Sequence, residues 1–452
     1  MLAESWRRID PRTVELSLRK GVKFHEGGDF TAEDVAFTFD AQGITGDGSG
    51  ALFPEKVIAA ARNIFSTLDR VEVVDAHTVR LVARTPDIVL EQRLARQAME
   101  IHSKQAFLKA ADYAAYSRAP VGTGPFRVRE FDADRHLILD AHADYWGGLP
   151  NTDRVTFRVV PETSSRVNGL LNDEFDLITN LPPDQVDIVG QNAGLETLGD
   201  VIDGQLFLQL VKNDKPLADP RIRQAISHAI DRQLIVDTLW AGRTIVPQGR
   251  QFKSYGDMFI EDWQNPAYDP EKARALLAEA GYAGEPIPFR VQNDYYPMQV
   301  ATAQVLVDML SQVGLNVEIQ MVESGAKMQD KATPRGMREW SNAAQFGDPI
   351  GSLLVQQGKG GLVRVNDEWS NDQFDAKSEI LVSGTDPAAR KAAFRRMLGI
   401  VEVEDPSYVM LHQLASFYAT RGGFEWQPGT GRALDFRADN LIFKSLDRWR
   451  TE

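Results

Sequence analysis

From Pro220 onward the apolar residues fall at Ile222, Ala225, Ile226, Ala229 and Ile230, the spacing of one buried helix face, and the polar run 213–219 before them reads as a loop. A second helix start follows at Asp269-Pro270-Glu271, where Asp269 is placed to cap free backbone donors and Pro270 suits the first helical position. Leu276, Leu277 and Ala280 then face inward and Gly281 ends the helix. Phe289 to Val291 predicts a short strand. Val305, Leu306, Met309, Leu310 and Val313 form the next helix face before Gly314, and 316–321 alternates as a half-buried strand should. The stretch 207–321 therefore predicts one continuous α/β unit.

Upstream, 14–18 alternates, and Thr31 precedes a helix with Glu33 and Asp34 in its first turn, where carboxylates are favoured. Residues 41–52 are glycine-rich and predict a surface loop. The runs 71–74 and 78–82 flank Asp75-Ala76-His77 and predict a hairpin. Strands are expected at 136–140, 155–160 and 176–179, with a helix at 162–171. The glycines and prolines of 120–126 mark a domain crossing. Asp386-Pro387 repeats the cap-then-proline start and predicts a helix to about Val401, with a strand at 407–414. Alternating strands and helices of this kind predict mixed sheets with helices packed on them.

Composition narrows the functional classes. The chain has 452 residues, 43% hydrophobic and 25% charged, the profile of a folded protein of two or three domains. A formal charge of −14 argues against a nucleic-acid partner, which needs a clustered basic face. With no cysteine, disulfides, thiolate zinc sites and a cysteine nucleophile are excluded. No apolar run reaches the length of a membrane span, and Met1 to Trp6 has no basic start followed by an apolar core. Catalytic signatures are incomplete: Gly122-Thr123-Gly124 lacks the third glycine of a dinucleotide loop, Gly358-Lys359 is followed by Gly360 instead of serine or threonine, and His25-Glu26 has no second histidine four positions after the first. There is no G-x-S-x-G elbow, and the seven histidines are scattered. No enzyme activity, cofactor or metal is expected.

Three long segments, 18–40 (LRKGVKFHEGGDFTAEDVAFTFD), 216–236 (PLADPRIRQAISHAIDRQLIV) and 268–282 (YDPEKARALLAEAGY), resemble family-5 extracellular solute-binding proteins, the peptide, nickel and opine receptors of ABC importers. The resemblance covers nearly the whole chain. It implies an α/β, two-lobed periplasmic-binding-protein-like fold with an additional domain. It places that additional domain at 1–119, a first-lobe core at 120–211 plus 423–452, and a second lobe at 212–422. The opening Leu2-Ala3-Glu4-Ser5-Trp6 resembles a segment that in the family follows a signal peptide and the first strand and helix, so a late start is expected. The implied function is capture of a peptide or other small polar solute between two lobes by hinge closure, for delivery to an ABC permease. A monomer in the periplasm or at the cell surface is expected. The competing expectation is an interaction or chaperone-like protein on the same fold.

The stretch 340–352 (WSNAAQFGDPIGS) resembles the family segment in which a tryptophan precedes an Asp-Pro pair, with an acidic residue between them that pairs with a peptide's α-amine. The spacing here is longer. Four positions before Pro349 stands Gln345, three after Trp340 stands Ala343, and neither is acidic. Opines, sugar phosphates and oligosaccharides thereby become rivals to peptides. Trp340, Phe346, Tyr295 and Tyr296 are candidates to enclose a ligand, with core packing the alternative for each. Asp348 is expected to cap a turn with Pro349 more than to touch ligand. Arg118, before the domain crossing, and His412, on the late strand, complete the candidates, with a structural role as the alternative for both.

Overall fold

The computed structural model describes residues 1–95, 99–293, 295–429 and 434–444. The chain forms two compact units. The first contains 1–175 and 421–428 with the last described residues, and the second contains 176–420.

The first unit is built on small antiparallel sheets. Strands Ala3–Asp10, Thr13–Leu18, Thr78–Ala83 and Leu68–Asp75 pair in that spatial order, and the hairpin expected around His77 is the pairing of the last two. Alternation along Thr13–Leu18 sends Val14, Leu16 and Leu18 into a core with Phe24, Phe30, Phe39, Phe65 and Leu81. Helix Ala32–Ala41 lies against this core. The Asp34 carboxylate accepts from the Thr31 backbone N–H (2.9 Å) and hydroxyl (3.1 Å), which satisfies donors at the helix start. The expected surface loop at 41–52 differs in its first part: Ala41 to Thr45 are buried, with the Arg62 guanidinium donating to the Gly43 carbonyl at 2.6 Å. A second antiparallel sheet is formed by Phe126–Asp132, His136–Ala141 and Arg154–Arg158.

The second unit is organised around a six-stranded sheet in the order Val317–Val322, Ile287–Gln292, Met337–Ala343, Leu195–Leu210, Tyr408–Arg421 and Leu177–Ile178. Ile287–Gln292 runs parallel to both its neighbours, and helix Gln299–Gln312 supplies the crossover that one of those parallel pairings needs. Met337–Ala343 is antiparallel to Leu195–Leu210. The predicted caps are present: Asp219 accepts from Arg221 N–H (2.8 Å) at the start of Pro220–Ala229, and Asp269 from Lys272 N–H (2.9 Å) at the start of Pro270–Ala280. Gly281 ends the latter at φ 70°, a left-handed conformation that costs glycine little. Helix Pro387–Leu398 continues into a π-helical turn, Gly399–Glu404.

The compact units separate at 175/176 and 420/421. The reason is that Leu195–Leu210 pairs with Met337–Ala343 along its second half, so the strand belongs to the second unit's sheet. Tyr408–Arg421 extends well beyond the expected 407–414 and carries the chain to the edge of that unit.

Candidate functional site

The residues around Trp340 are positioned by the register of two antiparallel strands. Trp340 is opposite Phe207, Arg338 opposite Gln209, and Asn342 opposite Gln205. Directly opposed residues in such a ladder point to the same face, so these six side chains share one face of the sheet. Glu339 and Leu208, one step along, lie on the other.

The shared face is aromatic and cationic. The Arg338 guanidinium lies over the Trp340 ring, 4.9 Å from its centroid, and Nη2 donates to Glu368 Oε2 at 2.8 Å. Arg250 packs against two neighbouring rings, 4.4 Å from the Phe207 centroid and 4.9 Å from that of Tyr408, which are themselves 5.2 Å apart. Its Nη1 donates to Gln357 Oε1 at 3.1 Å. Cations held against aromatic faces gain electrostatic attraction that grows as water is excluded. Both arginines are buried, and among the described residues Arg250 Nε and Nη2 and Arg338 Nε and Nη1 have no hydrogen-bond partner.

Beneath Arg250 lies a buried carboxyl. Glu402 Oε1 accepts from the Arg250 backbone N–H (2.7 Å) and the Tyr408 hydroxyl (2.8 Å), and Oε2 accepts from Trp263 Nε1 (2.8 Å). Burial pushes the Glu402 carboxyl up from its ordinary range, and these hydrogen bonds partly oppose the shift. Burial likewise lowers Arg250 from the usual guanidinium range.

The sequence candidates separate into different places. Trp340 is half-buried on the face just described. Gln345 is half-buried, its backbone N–H donating to the Gly351 carbonyl at 3.2 Å, and Phe346 is buried near Gly351. Asp348 is buried: Oδ1 accepts from the Ile350 N–H (3.0 Å), capping the turn Pro349–Gly351, and Oδ2 accepts from Arg390 Nη2 (2.9 Å). Tyr295 is exposed and Tyr296 buried, the two rings edge-on at 4.7 Å. His412 is fully buried against Trp240, ring centroids 4.7 Å apart, with Nδ1 bonded to the Gln413 carbonyl at 2.8 Å. Burial lowers its pKa to about 4. Arg118 ends the helix Tyr113–Arg118, exposed, in the first unit, whereas all the other candidates lie in the second.

Sequence reading missed Arg250, Arg338 and Gln209. Arg338 had a usable signal: it precedes Trp340 by two positions, and in a strand that spacing puts both on one face. Arg250 follows Pro247-Gln248-Gly249 in a loop, where no periodicity reveals direction. Among the described residues no group of three or more histidines and carboxylates is arranged to hold a metal ion. No described helix is long and apolar enough to cross a membrane.

Comparison with known proteins gives a consistent result. Residues 1–361 match the family model for bacterial extracellular solute-binding proteins, family 5 Middle. A glutathione-binding protein, GsiB, of Salmonella choleraesuis is 26% identical over 449 residues, covering 96% of this chain and 85% of the relative. The di/tripeptide-binding protein 2 of Pseudomonas aeruginosa is 27% identical over 95% of this chain and 84% of its own length. The fold matches the periplasmic binding protein DppA of Helicobacter pylori, solved with the peptide STSA, at a TM-score of 0.85 and 22% identity, covering 98% of this chain and 89% of that one. It also matches AgaA of A. tumefaciens R10, solved with agropinic acid, at 0.79 and 24% identity, over 98% and 89% of the two chains. The fold is that of the two-lobed periplasmic binding proteins, and the chain belongs to the bacterial extracellular solute-binding proteins of family 5.

Proposed function

We propose that the protein is the solute receptor of an ABC importer and takes up a short peptide or a similarly small polar solute, which it presents to a permease in the membrane. The observation that carries this reading is the family match across residues 1–361, together with relatives named for glutathione and for di- and tripeptides. Capture proceeds by closure of the two lobes: contacts made only in the closed state shift the population toward it, and no covalent chemistry is required. The protein acts outside the cytoplasm as a monomer. Trp340, on a half-buried strand position backed by a guanidinium, is the ring expected to pack on the ligand.

The test is thermal unfolding against short peptides, opines, sugar phosphates and oligosaccharides. A ligand present at roughly a hundred times its dissociation constant adds about 2.7 kcal/mol to the folded state, which raises the midpoint visibly. A rise with one class, diminished by Trp340→Ala, supports the reading. Absence of a rise with every class favours the chaperone-like alternative.

A further inference from the structure

Helices Pro220–Ala229 and Pro270–Ala280 lie against each other in the second unit, and the π-helical turn Gly399–Glu404 packs on the first of them. Where the three meet, the surface opens into a recess of about 110 Å³. At ~30 Å³ per water, that is room for roughly three or four waters, or for one molecule of about four to six non-hydrogen atoms. Single π-helical turns recur at functional sites. Here the turn forms one wall, fastened by Gln224 Nε2, which donates to the Val403 and Glu404 carbonyls at 3.0 Å each.

The lining combines apolar surface with unused donors. Pro266, Leu276 and Val403 supply the apolar part. The Ser227 side chain, in a residue only 2% exposed, accepts from Arg232 Nη2 at 3.0 Å, while its own O–H has no acceptor among the described residues. Lys272 lines the recess from the neighbouring helix, exposed, and its ammonium has no hydrogen bond or ion pair among the described residues.

Charge points the same way. Arg232, buried behind Ser227, donates to the Met410, Ile230 and Pro266 carbonyls at 2.7, 3.3 and 3.1 Å, and among the described residues no carboxylate pairs with it directly. Glu402 and Asp231 act on it only from farther away. The nearby carboxylates are already engaged: Asp269 caps the Lys272 backbone N–H at 2.9 Å, and Glu402 accepts from the Arg250 backbone N–H, the Tyr408 hydroxyl and Trp263 Nε1. His228, in the same wall, is held below the ordinary histidine range by burial and is neutral at pH 7. Apolar walls with an unpaired ammonium, a buried hydroxyl and a guanidinium behind it suit a small molecule with a short apolar chain and one negative charge.

We propose that this recess is a binding site, apart from Trp340, for a short-chain monocarboxylate of the size of propionate. The carboxylate takes the Lys272 ammonium and the Ser227 hydroxyl, and the chain lies on Leu276, Pro266 and Val403. Because Glu402 is part of the wall, an occupant bears on the residue that ties Arg250, Tyr408 and Trp263 together. The site does not depend on the solute-receptor reading.

The test is titration of the whole chain with formate, acetate, propionate, butyrate, propionamide and inorganic phosphate, followed by the NMR signal of the Trp263 indole N–H, which donates to Glu402 at 2.8 Å. Affinity is expected to rise about threefold per methylene from formate to propionate, and propionate to bind at least about tenfold tighter than propionamide. Lys272→Gln, at an exposed position, brings propionate down to the level of propionamide. Leu276→Phe fills the recess and abolishes both responses, whereas Trp340→Ala leaves them unchanged. Should Leu276→Phe fail to fold, the wild-type series and Lys272→Gln decide. Equal binding of propionate and propionamide, affinity indifferent to chain length, or no saturable response to any acid overturns the assignment. Phosphate binding as tightly as propionate, with the same loss in Lys272→Gln, makes the recess a bare anion site and overturns it as well. A propionate response kept in Lys272→Gln and lost in Trp340→Ala moves the acid to the solute's site and does the same. The receptor reading stands or falls separately, on the solute panel.

Discussion

Asp348 and Arg390 form an ion pair of 2.9 Å in which each side chain is only 4% exposed. The aspartate stands in the stretch that sequence resemblance marks for ligand recognition, yet its two oxygens are engaged by the Ile350 N–H and by Arg390. Removing one partner of a buried pair leaves the other charged and dry. Asp348→Asn is expected to cost about 3–5 kcal/mol of stability, read by denaturant unfolding, and to leave solute preference unchanged in the folded fraction. A stable Asp348→Asn protein with altered preference would return this residue to the ligand.

Glu339 provides a test of burial without a partner. Its side chain is 1% exposed, neither carboxyl oxygen has a hydrogen-bond partner among the described residues, and burial pushes the carboxyl well above the usual range. A carboxyl with a folded pKa above its unfolded value stabilises the fold least when pH is high, because the unfolded chain ionises more readily. Glu339→Gln is therefore expected to melt higher than the wild type near pH 8, with the difference shrinking to nothing near pH 4. Melting curves of both proteins across that range isolate the group, since every other titration is common to the two. A difference that does not change with pH would show that Glu339 is not titrating as its burial requires.

His412 runs in the opposite sense. Its pKa falls to about 4 from the ordinary histidine value of 6.5, so between those limits the unfolded chain takes up a proton that the folded chain refuses. Stability contributed by this group is complete above pH 6.5 and is lost as pH falls toward 4, by about 3 kcal/mol in all at 1.36 kcal/mol per unit. His412→Gln should flatten the acid limb of the stability curve by up to one proton. Ring nitrogen shifts followed by NMR should report a neutral imidazole, protonated on Nδ1 toward the Gln413 carbonyl, down to about pH 5.

Gly336 joins the sheet to Asp214. It sits at φ 58°, its N–H donates to Asp214 Oδ2 at 2.9 Å, and a β-carbon there would collide with the Pro288 carbonyl oxygen. Both the left-handed backbone and the close approach demand glycine. Gly336→Ala is expected to lose at least about 1–2 kcal/mol in chemical denaturation, more than the left-handed penalty alone. A loss below 0.5 kcal/mol, on the order of a surface substitution, would mean that the strand shifts freely to make room.

Local rules legible in the chain were enough for most elements. Asp219-Pro220, Asp269-Pro270 and Asp386-Pro387 each open a helix, because a capping carboxylate and a proline act within a few residues of themselves. The hairpin at His77 and the alternating core of Val14, Leu16 and Leu18 follow from period-two patterning in the same way. The family was equally legible, since long ordered segments carry it.

What only the tertiary structure decided is which long-range partner each polar side chain meets. Asp348 pairs with Arg390 at a separation of 42 residues, Trp340 stands opposite Phe207, and Arg250 packs against both Phe207 and Tyr408. None of these contacts has a local signature, because strand order and register, not spacing along the chain, bring the residues together. The boundary near Asp176 has the same origin: Leu195–Leu210 joins the second unit through hydrogen bonds to a strand more than a hundred positions later, and a hydrophobic pattern says that a strand forms without saying beside what.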